Sequence, residues 1–369
     1  MDPETLRADI PALDDCTYLN TGASGPSPTR VVDAITDFQH RHKFDAPCGD
    51  DGMYDVAAAE RQRAREAVAG FVGARPEEIA LTRNTVEGIN HVATSIEWEP
   101  GDVVVRTDLE HPAGELPWER MADRHGIEVR ELETEQGRLS LESLKTAVAD
   151  ARLLCLSSLS WNYGTRLPIG EVVDIAHDAN TLVLVDAVQS PGQVPMDVHE
   201  WGADFVAASG HKWLLGAWGA GFLYIDSAVL EDLEPQRIGY FSIDRHADGE
   251  GYTYAPDASR FELGTTAIGP YVGLAESVAL FEELGLDAVQ SRIERLTDRL
   301  KDGLGDQLLS PRDYESGLVS FSVDEPDETA ARLVTEGIQI RSIPEPHACR
   351  ASVHAFNTAE DIDQLLDAL

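Results

Sequence analysis

Short, unbroken apolar runs alternate along this chain with stretches of helical periodicity. A strand is expected at 127–132, and the runs at residues 79–82, 103–107, 153–156, 181–185 and 204–208 are rich in Val, Leu, Ile and Ala. They show little polar alternation, which is the pattern of strands covered on both faces. A further run at 221–225 reads as another strand, set antiparallel to the rest. Apolar positions recurring at spacings of three and four predict helices over 30–44, 57–72 and 139–149, and one starting near residue 86. A long helical region covers 270–304 with a break near Gly285, and a last helix starts at residue 359 with Thr358 as its N-cap. Strands at 317–322, 338–341 and 350–356 fall between these last helices. Strand and helix in alternation imply an α/β protein with a mostly parallel sheet.

Length sharpens this picture. A chain of 369 residues exceeds the usual single domain, so one large domain and a smaller one are expected. No segment reaches the roughly eighteen unbroken apolar residues of a membrane helix. The acidic N-terminal stretch lacks a signal peptide's apolar core, so a soluble, cytoplasmic protein is expected, with no membrane partner.

Charge changes the picture more. The formal net charge is −37, and the only lysines are Lys43, Lys145, Lys212 and Lys301. Self-repulsion on that scale strains a compact fold in dilute buffer, whereas at molar salt the screening length falls to about 3 Å. The composition therefore predicts a halophilic protein. It also excludes a basic nucleic-acid footprint and any attraction to anionic lipid. Cys16, Cys48, Cys155 and Cys349 are scattered without zinc-site spacing, so no metal is expected.

The candidate chemistry lies at strand ends. Asp186 closes the run 181–185, and the run 204–208 delivers Ser209, Gly210, His211 and Lys212 into a turn. Read singly, an Asp at a strand end is a turn residue or a helix cap, and a loop Lys is a solvated charge. Read together, a carboxylate and a lysine at neighbouring strand ends suit pyridoxal phosphate chemistry. Lysine condenses with the aldehyde as a Schiff base, and the carboxylate keeps the pyridine nitrogen protonated. Asn84, His111, Trp161, Asp186 and Lys212 each follow a different predicted strand, and ligands of open α/β sheets bind outside those carboxyl ends. The helix starting after residues 79–82 adds an anion site, with the backbone amides of Thr85 and Val86 as its donors.

Asp186-Ala187-Val188-Gln189 followed by Ser209-Gly210-His211-Lys212 resembles the class V aminotransferase and cysteine desulfurase family of fold-type I pyridoxal phosphate enzymes. The similarity extends from Tyr18-Leu19-Asn20 to Arg350 and Phe356-Asn357-Thr358. It implies a three-layer α/β/α cofactor-binding domain over residues 18–265, and a smaller α+β domain formed by 1–17 and 266–369. It implies that Lys212 carries the cofactor, Asp186 pairs with the pyridine nitrogen, and Gln189 bonds the ring hydroxyl. His111 would stack on the ring, and Ser209 and His211 would hold the phosphate. Thr265, or Thr266 beside it, would reach the phosphate of a neighbouring subunit, which implies a homodimer with shared sites. Arg350 matches the arginine that grips the substrate carboxylate, with Arg341 as a second candidate. Two departures stand out. Relatives place an Asn on the cofactor where this chain has Trp161, so either Asn162 moves in or the indole replaces the contact. Val86 stands where relatives have a phosphate-binding Thr.

The resemblance implies an enzyme acting on an amino acid. Amino-group transfer to a 2-oxo acid is the expectation, because Cys349 directly precedes Arg350 and the stretch 341–350 lacks the desulfurase cysteine loop. Cysteine desulfurase or selenocysteine lyase-like elimination, or epimerisation, is the alternative. A non-catalytic dimeric scaffold is a more distant one.

Overall fold

The structure, a computed structural model, describes residues 1–246 and 249–369. Its strands are β1 (Thr17–Tyr18), β2 (Ile79–Thr82), β3 (Val103–Thr107), β4 (Glu128–Leu132), β5 (Leu153–Ser157), β6 (Leu182–Asp186) and β7 (Phe205–Ser209). They continue as β8 (Gly221–Ile225), β9 (Ile243–Arg245), β10 (Tyr252–Tyr254), β11 (Leu318–Phe321), β12 (Ile338–Gln339), β13 (Arg341–Ile343) and β14 (Ala348–Ser352).

A seven-stranded sheet in the order β2-β8-β7-β6-β5-β3-β4 forms the centre. Every strand but β8 runs the same way, and β8 is antiparallel to both of its neighbours. Unbroken apolar runs produce this because successive side chains point to opposite faces and both faces are covered. Val104, Leu153, Cys155, Leu184, Phe205 and Ala207 pack on one side. Val105, Leu154, Leu156, Val183, Val185, Val206 and Ala208 pack on the other. The result is an α/β/α fold with a mostly parallel sheet.

Helices cover each face. Thr85–Ser95 and Pro112–His125 pack against one another, and Gly269–Leu284 packs on Thr29–His40 and Met53–Val72. The break expected near Gly285 separates that helix from Leu286–Leu304. At the C-terminus β11, β14 and β13 form an antiparallel sheet. Helix Leu286–Leu304 packs on β11 and on helix Ala359–Ala368, and helix Pro326–Thr335 packs on β13 and β14. Thr358 caps the last helix as expected, its hydroxyl accepting from the Asp361 N–H.

Two expected strands differ. The run 338–341 is divided between β12, which pairs with β1, and β13, which pairs with β14. The run 350–356 ends as a strand at Ser352, so Arg350 lies inside a strand and not at its start. Neither sheet partner extends past that point, because β11 meets only residues 349–352 of β14.

Candidate active site

Loops leaving the carboxyl ends of β2, β3, β5, β6 and β7 converge on one cavity of about 330 Å³. Its lining includes Gly22, Ala23, Thr85, Val86, His111, Ser157, Trp161, Asp186, Gln189, Ser209, His211, Lys212, Trp218, Arg341 and Arg350. The loop 19–25 approaches from the N-terminal side. Gly22 is required there, because a Cβ would stand 2.9 Å from both Arg350 Nη2 and Ser352 Oγ.

One end of the cavity is built for an anion. Asn84 caps the helix Thr85–Ser95, its Oδ1 accepting from the Glu87 N–H at 2.9 Å. Ser209 Oγ accepts from the Thr85 N–H at 2.8 Å and lies 2.8 Å from the Thr85 hydroxyl. These bonds settle two of the first-turn donors and leave the Val86 N–H for a ligand. His211 stands beside them with its ring edge-on to Trp218 at 5.9 Å. Burial, and then the charge of Lys212, push His211 down to about 4, so it faces the cavity neutral at neutral pH.

The opposite wall carries the charged groups. Asp186 is buried, and its Oδ1 accepts from the Val188 N–H at 2.9 Å. Burial raises its carboxyl, while that N–H and Lys212 oppose the rise. Burial pushes the Lys212 amine down to about 8, with Asp186 holding it up and Arg350 and Arg341 lowering it further. His111 caps the helix Pro112–His125, Nδ1 accepting from the Ala113 N–H at 3.2 Å, and meets Trp161 edge-on at 5.4 Å. Burial, then Lys212, Arg341 and Arg350, push it to about 4.

Arg350 is 1% exposed, and burial with Arg341 beside it pulls its guanidinium down to about 9. Nη1 donates to the Trp161 carbonyl at 2.7 Å, but Nε and Nη2 have no protein partner. Buried donors are nearly always satisfied, so two orphaned N–H groups in one fork mark the seat of a planar anion. Arg341 faces Arg350 across β13 and β14 in register, which puts the two side chains on the same face.

The structure thus gathers most of the expected residues and separates two. Asn162 does not line the cavity: its Oδ1 accepts from its own neighbour's Tyr163 N–H at 3.0 Å, and Trp161 takes the place on the wall. Thr265 is exposed and lines a different cavity together with Thr266, Arg83, His91 and Tyr271. Reading the sequence missed Glu110. It is buried beneath the site and accepts from the Thr107 hydroxyl at 2.7 Å, the Ser157 N–H at 3.0 Å and the Ser157 hydroxyl at 2.7 Å. Burial pushes it up to about 7, its hydrogen bonds opposing and Asp186 adding to the rise. Its position directly before His111, after a strand, was the available signal.

The residues fit a phosphorylated pyridine aldehyde. A free helix-terminal amide faces one end, a lysine with a lowered amine and a buried carboxylate stand at the centre, and an unpaired guanidinium fork lies at the far side.

Comparison with known proteins agrees. The family described as "Aminotransferase class-V" matches residues 17–365. A probable cysteine desulfurase of Methanothermobacter thermautotrophicus is 33% identical, across 100% of this chain and 98% of its own. Two solved structures of C-DES are similar. A lysine variant with glycine covalently linked to the PLP cofactor has a TM-score of 0.93 at 30% identity, covering 98% of each chain. A complex described as the cystine C-S lyase with its reaction product cysteine persulfide has a TM-score of 0.92 at 30% identity, covering 97% of this chain and 98% of that one.

Proposed function

Since the chain belongs to the class V aminotransferase family of pyridoxal phosphate enzymes, we propose that it is a C–S lyase, releasing sulfur from the β-carbon of an amino acid by elimination. Amino-group transfer finds less support, because the relatives are named for sulfur chemistry. The observation that carries the reading is the absence of a thiol. Among the described residues lining the cavity there is no cysteine. Cys349 lies on the face of β14 opposite Arg350, packed with Val319, Phe321 and Leu333, and its Sγ donates to the Pro326 carbonyl at 3.4 Å. Burial pushes it up to about 11, far from a reactive thiolate. Without an enzyme thiol to take it, sulfur departs on its own carbon or sulfur substituent, as a disulfide amino acid allows.

Bound pyridoxal phosphate supplies an electron sink at the substrate's α-carbon. Lys212 would carry the cofactor and, with its amine free, would take the α-proton of the substrate, and the Cβ–S electron pair would leave with sulfur. Asp186 would serve the pyridine nitrogen, and Gln189 would donate to the ring oxygen. His111 would pack on the ring. Val86, Thr85, Ser209 and His211 would hold the phosphate, and Thr265 of a second copy would join them in a homodimer. Arg350 grips the α-carboxylate with its two free N–H groups, and Arg341 stands next to it at the mouth.

The test is product analysis of the holoenzyme with L-cysteine and L-cystine, for wild type and Cys349→Ser. Pyruvate and a persulfide from cystine, equal in the two proteins, is the expected result. Alanine with a persulfide on the protein that needs Cys349 would establish a desulfurase instead. A 2-oxo acid formed only when an amino acceptor is present would establish a transferase.

A further inference from the structure

Behind Gln189 stands a residue that touches no ligand. Trp213 follows Lys212 directly, is fully buried, and donates from Nε1 to Gln189 Oε1 at 2.7 Å. An indole nitrogen only donates, so this bond decides the orientation of the amide. The oxygen is turned to the indole and the nitrogen is left for other partners. One of its N–H groups goes to the Gly22 carbonyl at 3.2 Å. The other remains for the cavity that Gln189 lines. Without the indole, only the longer bond to the Gly22 carbonyl opposes turning the amide oxygen to a ligand.

Trp213 is itself clamped. His354, with no exposure, lies along the indole at 5.6 Å and 21° and along Phe356 at 4.8 Å and 15°. The Ala355 N–H donates to His354 Nδ1 at 2.8 Å, which makes Nε2 the protonated nitrogen, and Nε2 donates to the Trp213 carbonyl at 3.0 Å. Gly317 lets the C-terminal segment close on the indole, since a Cβ there would lie 2.8 Å from its ring. Gln193 accepts from the Gly317 N–H at 2.8 Å and donates to the Gln189 carbonyl. The segment that carries Arg350 and the loop that carries Lys212 are thus joined through this cluster.

We propose that Trp213 is a positioning residue that locks the Gln189 amide, so that an N–H and never the carbonyl oxygen meets the ring oxygen of bound pyridoxal phosphate. His354 holds Trp213 in that place. The inference rests on Gln189 being the ring-oxygen contact, and it is independent of which amino acid is the substrate.

The experiment is a pH titration of the visible absorption band of the holoenzyme. A donor to the ring oxygen steadies negative charge there and weakens that oxygen's hold on the proton of the Lys212 linkage. Losing the donor therefore raises the pH at which the band titrates, by about one pH unit for a bond to a charged acceptor. Gln189→Leu and Trp213→Phe are both expected to raise the midpoint, and the double variant no further than Gln189→Leu alone. If Gln189→Leu moves the midpoint and Trp213→Phe does not, or if the two effects add, the lock is refuted while the Gln189 contact stands. If Gln189→Leu moves nothing, both fall. Should Trp213→Phe fail to fold, His354→Phe keeps a stacked ring and loses the bonds to the Trp213 carbonyl and from the Ala355 N–H. A rise smaller than that of Gln189→Leu supports the lock, and an unchanged midpoint refutes it.

Discussion

Replacing Arg350 by methionine should make the protein more stable and nearly inactive at once. The guanidinium is 1% exposed and is pulled down to about 9 by burial and by Arg341. Relative to an ordinary arginine this weighs against the charged form by about 5 kcal/mol as an upper figure. The sign follows from the direction. A cation whose folded-state pKa is lowered costs stability at every pH below that value, and the cost fades as the pH rises from about 9 towards the unfolded value. At neutral pH the side chain is charged in both states, so the cost is present in full. Methionine has a similar volume and no charge, and it forfeits only the bond to the Trp161 carbonyl, about 1 kcal/mol. A net gain of about 3 kcal/mol is expected, visible as a Tm several degrees higher in the absence of amino acids. The effect on turnover has the opposite sign. Losing a desolvated, two-pronged carboxylate contact costs about 3–5 kcal/mol, hence a fall in kcat/KM of about two to four powers of ten. A substrate amino acid that raises the wild-type Tm should leave the variant's unchanged. A variant less stable than wild type, or one that keeps kcat/KM within tenfold, would refute the claim that the two unpaired N–H groups are held in reserve for a carboxylate.

Two further outcomes follow from charge. Cofactor-free protein should take up pyridoxal phosphate at a rate that climbs about tenfold per pH unit and levels off above about 8, because only the neutral Lys212 amine attacks the aldehyde and its amine is lowered to about 8. Stopped-flow absorbance gives the midpoint, and a value near 10 would contradict the burial of that amine. With a net charge of −37, the thermal midpoint should rise steadily from dilute buffer to molar potassium chloride. Calorimetry showing greatest stability without salt would remove the halophilic reading.

The inner strands of the sheet were legible because both of their faces are buried, so β5, β6, β7 and β8 kept short apolar runs. Lys212 and Asp186 were legible for a related reason, since a parallel sheet sends its ligand-binding side chains to strand ends. The helix Pro112–His125 was not, because Pro112 and Pro117 read as punctuation. Pro112 occupies the first helical position, where its missing N–H has no helical partner to lose, and Pro117 comes early enough to free only the Ala113 carbonyl. The choice between Trp161 and Asn162 was also beyond the sequence. It depends on a turn in which the Gly164 N–H reaches the Ser160 carbonyl, and on Arg350 and Ser320, distant in sequence, taking the carbonyls of Trp161 and Asn162. Trp213 and His354 are core residues, fully buried. Only the bond from one to Gln189 gives the pair a bearing on the site.

The charge pattern of the whole chain and that of the cavity oppose each other. A chain with a net charge of −37 gathers Lys212, Arg341 and Arg350 at one cavity, where Asp186 is the buried anion that supports Lys212. Burial lowers Lys212 and Arg350, Arg341 lowers both further and Arg350 adds to the lowering of Lys212, so the site without ligand is electrostatically frustrated. A phosphate at the Val86 amide and a carboxylate at Arg350, as proposed above, would relieve that frustration, and each would gain more than from the same contacts at an exposed surface. The acidic exterior acts the other way, repelling both anions as they approach. Its field reaches only about 10 Å at 0.1 M salt and about 3 Å at 1 M, whereas the contacts inside the cavity are shielded much less. High salt therefore removes the barrier to entry while leaving the attraction at the destination largely intact, and this is the condition under which such a distribution of charge is an advantage.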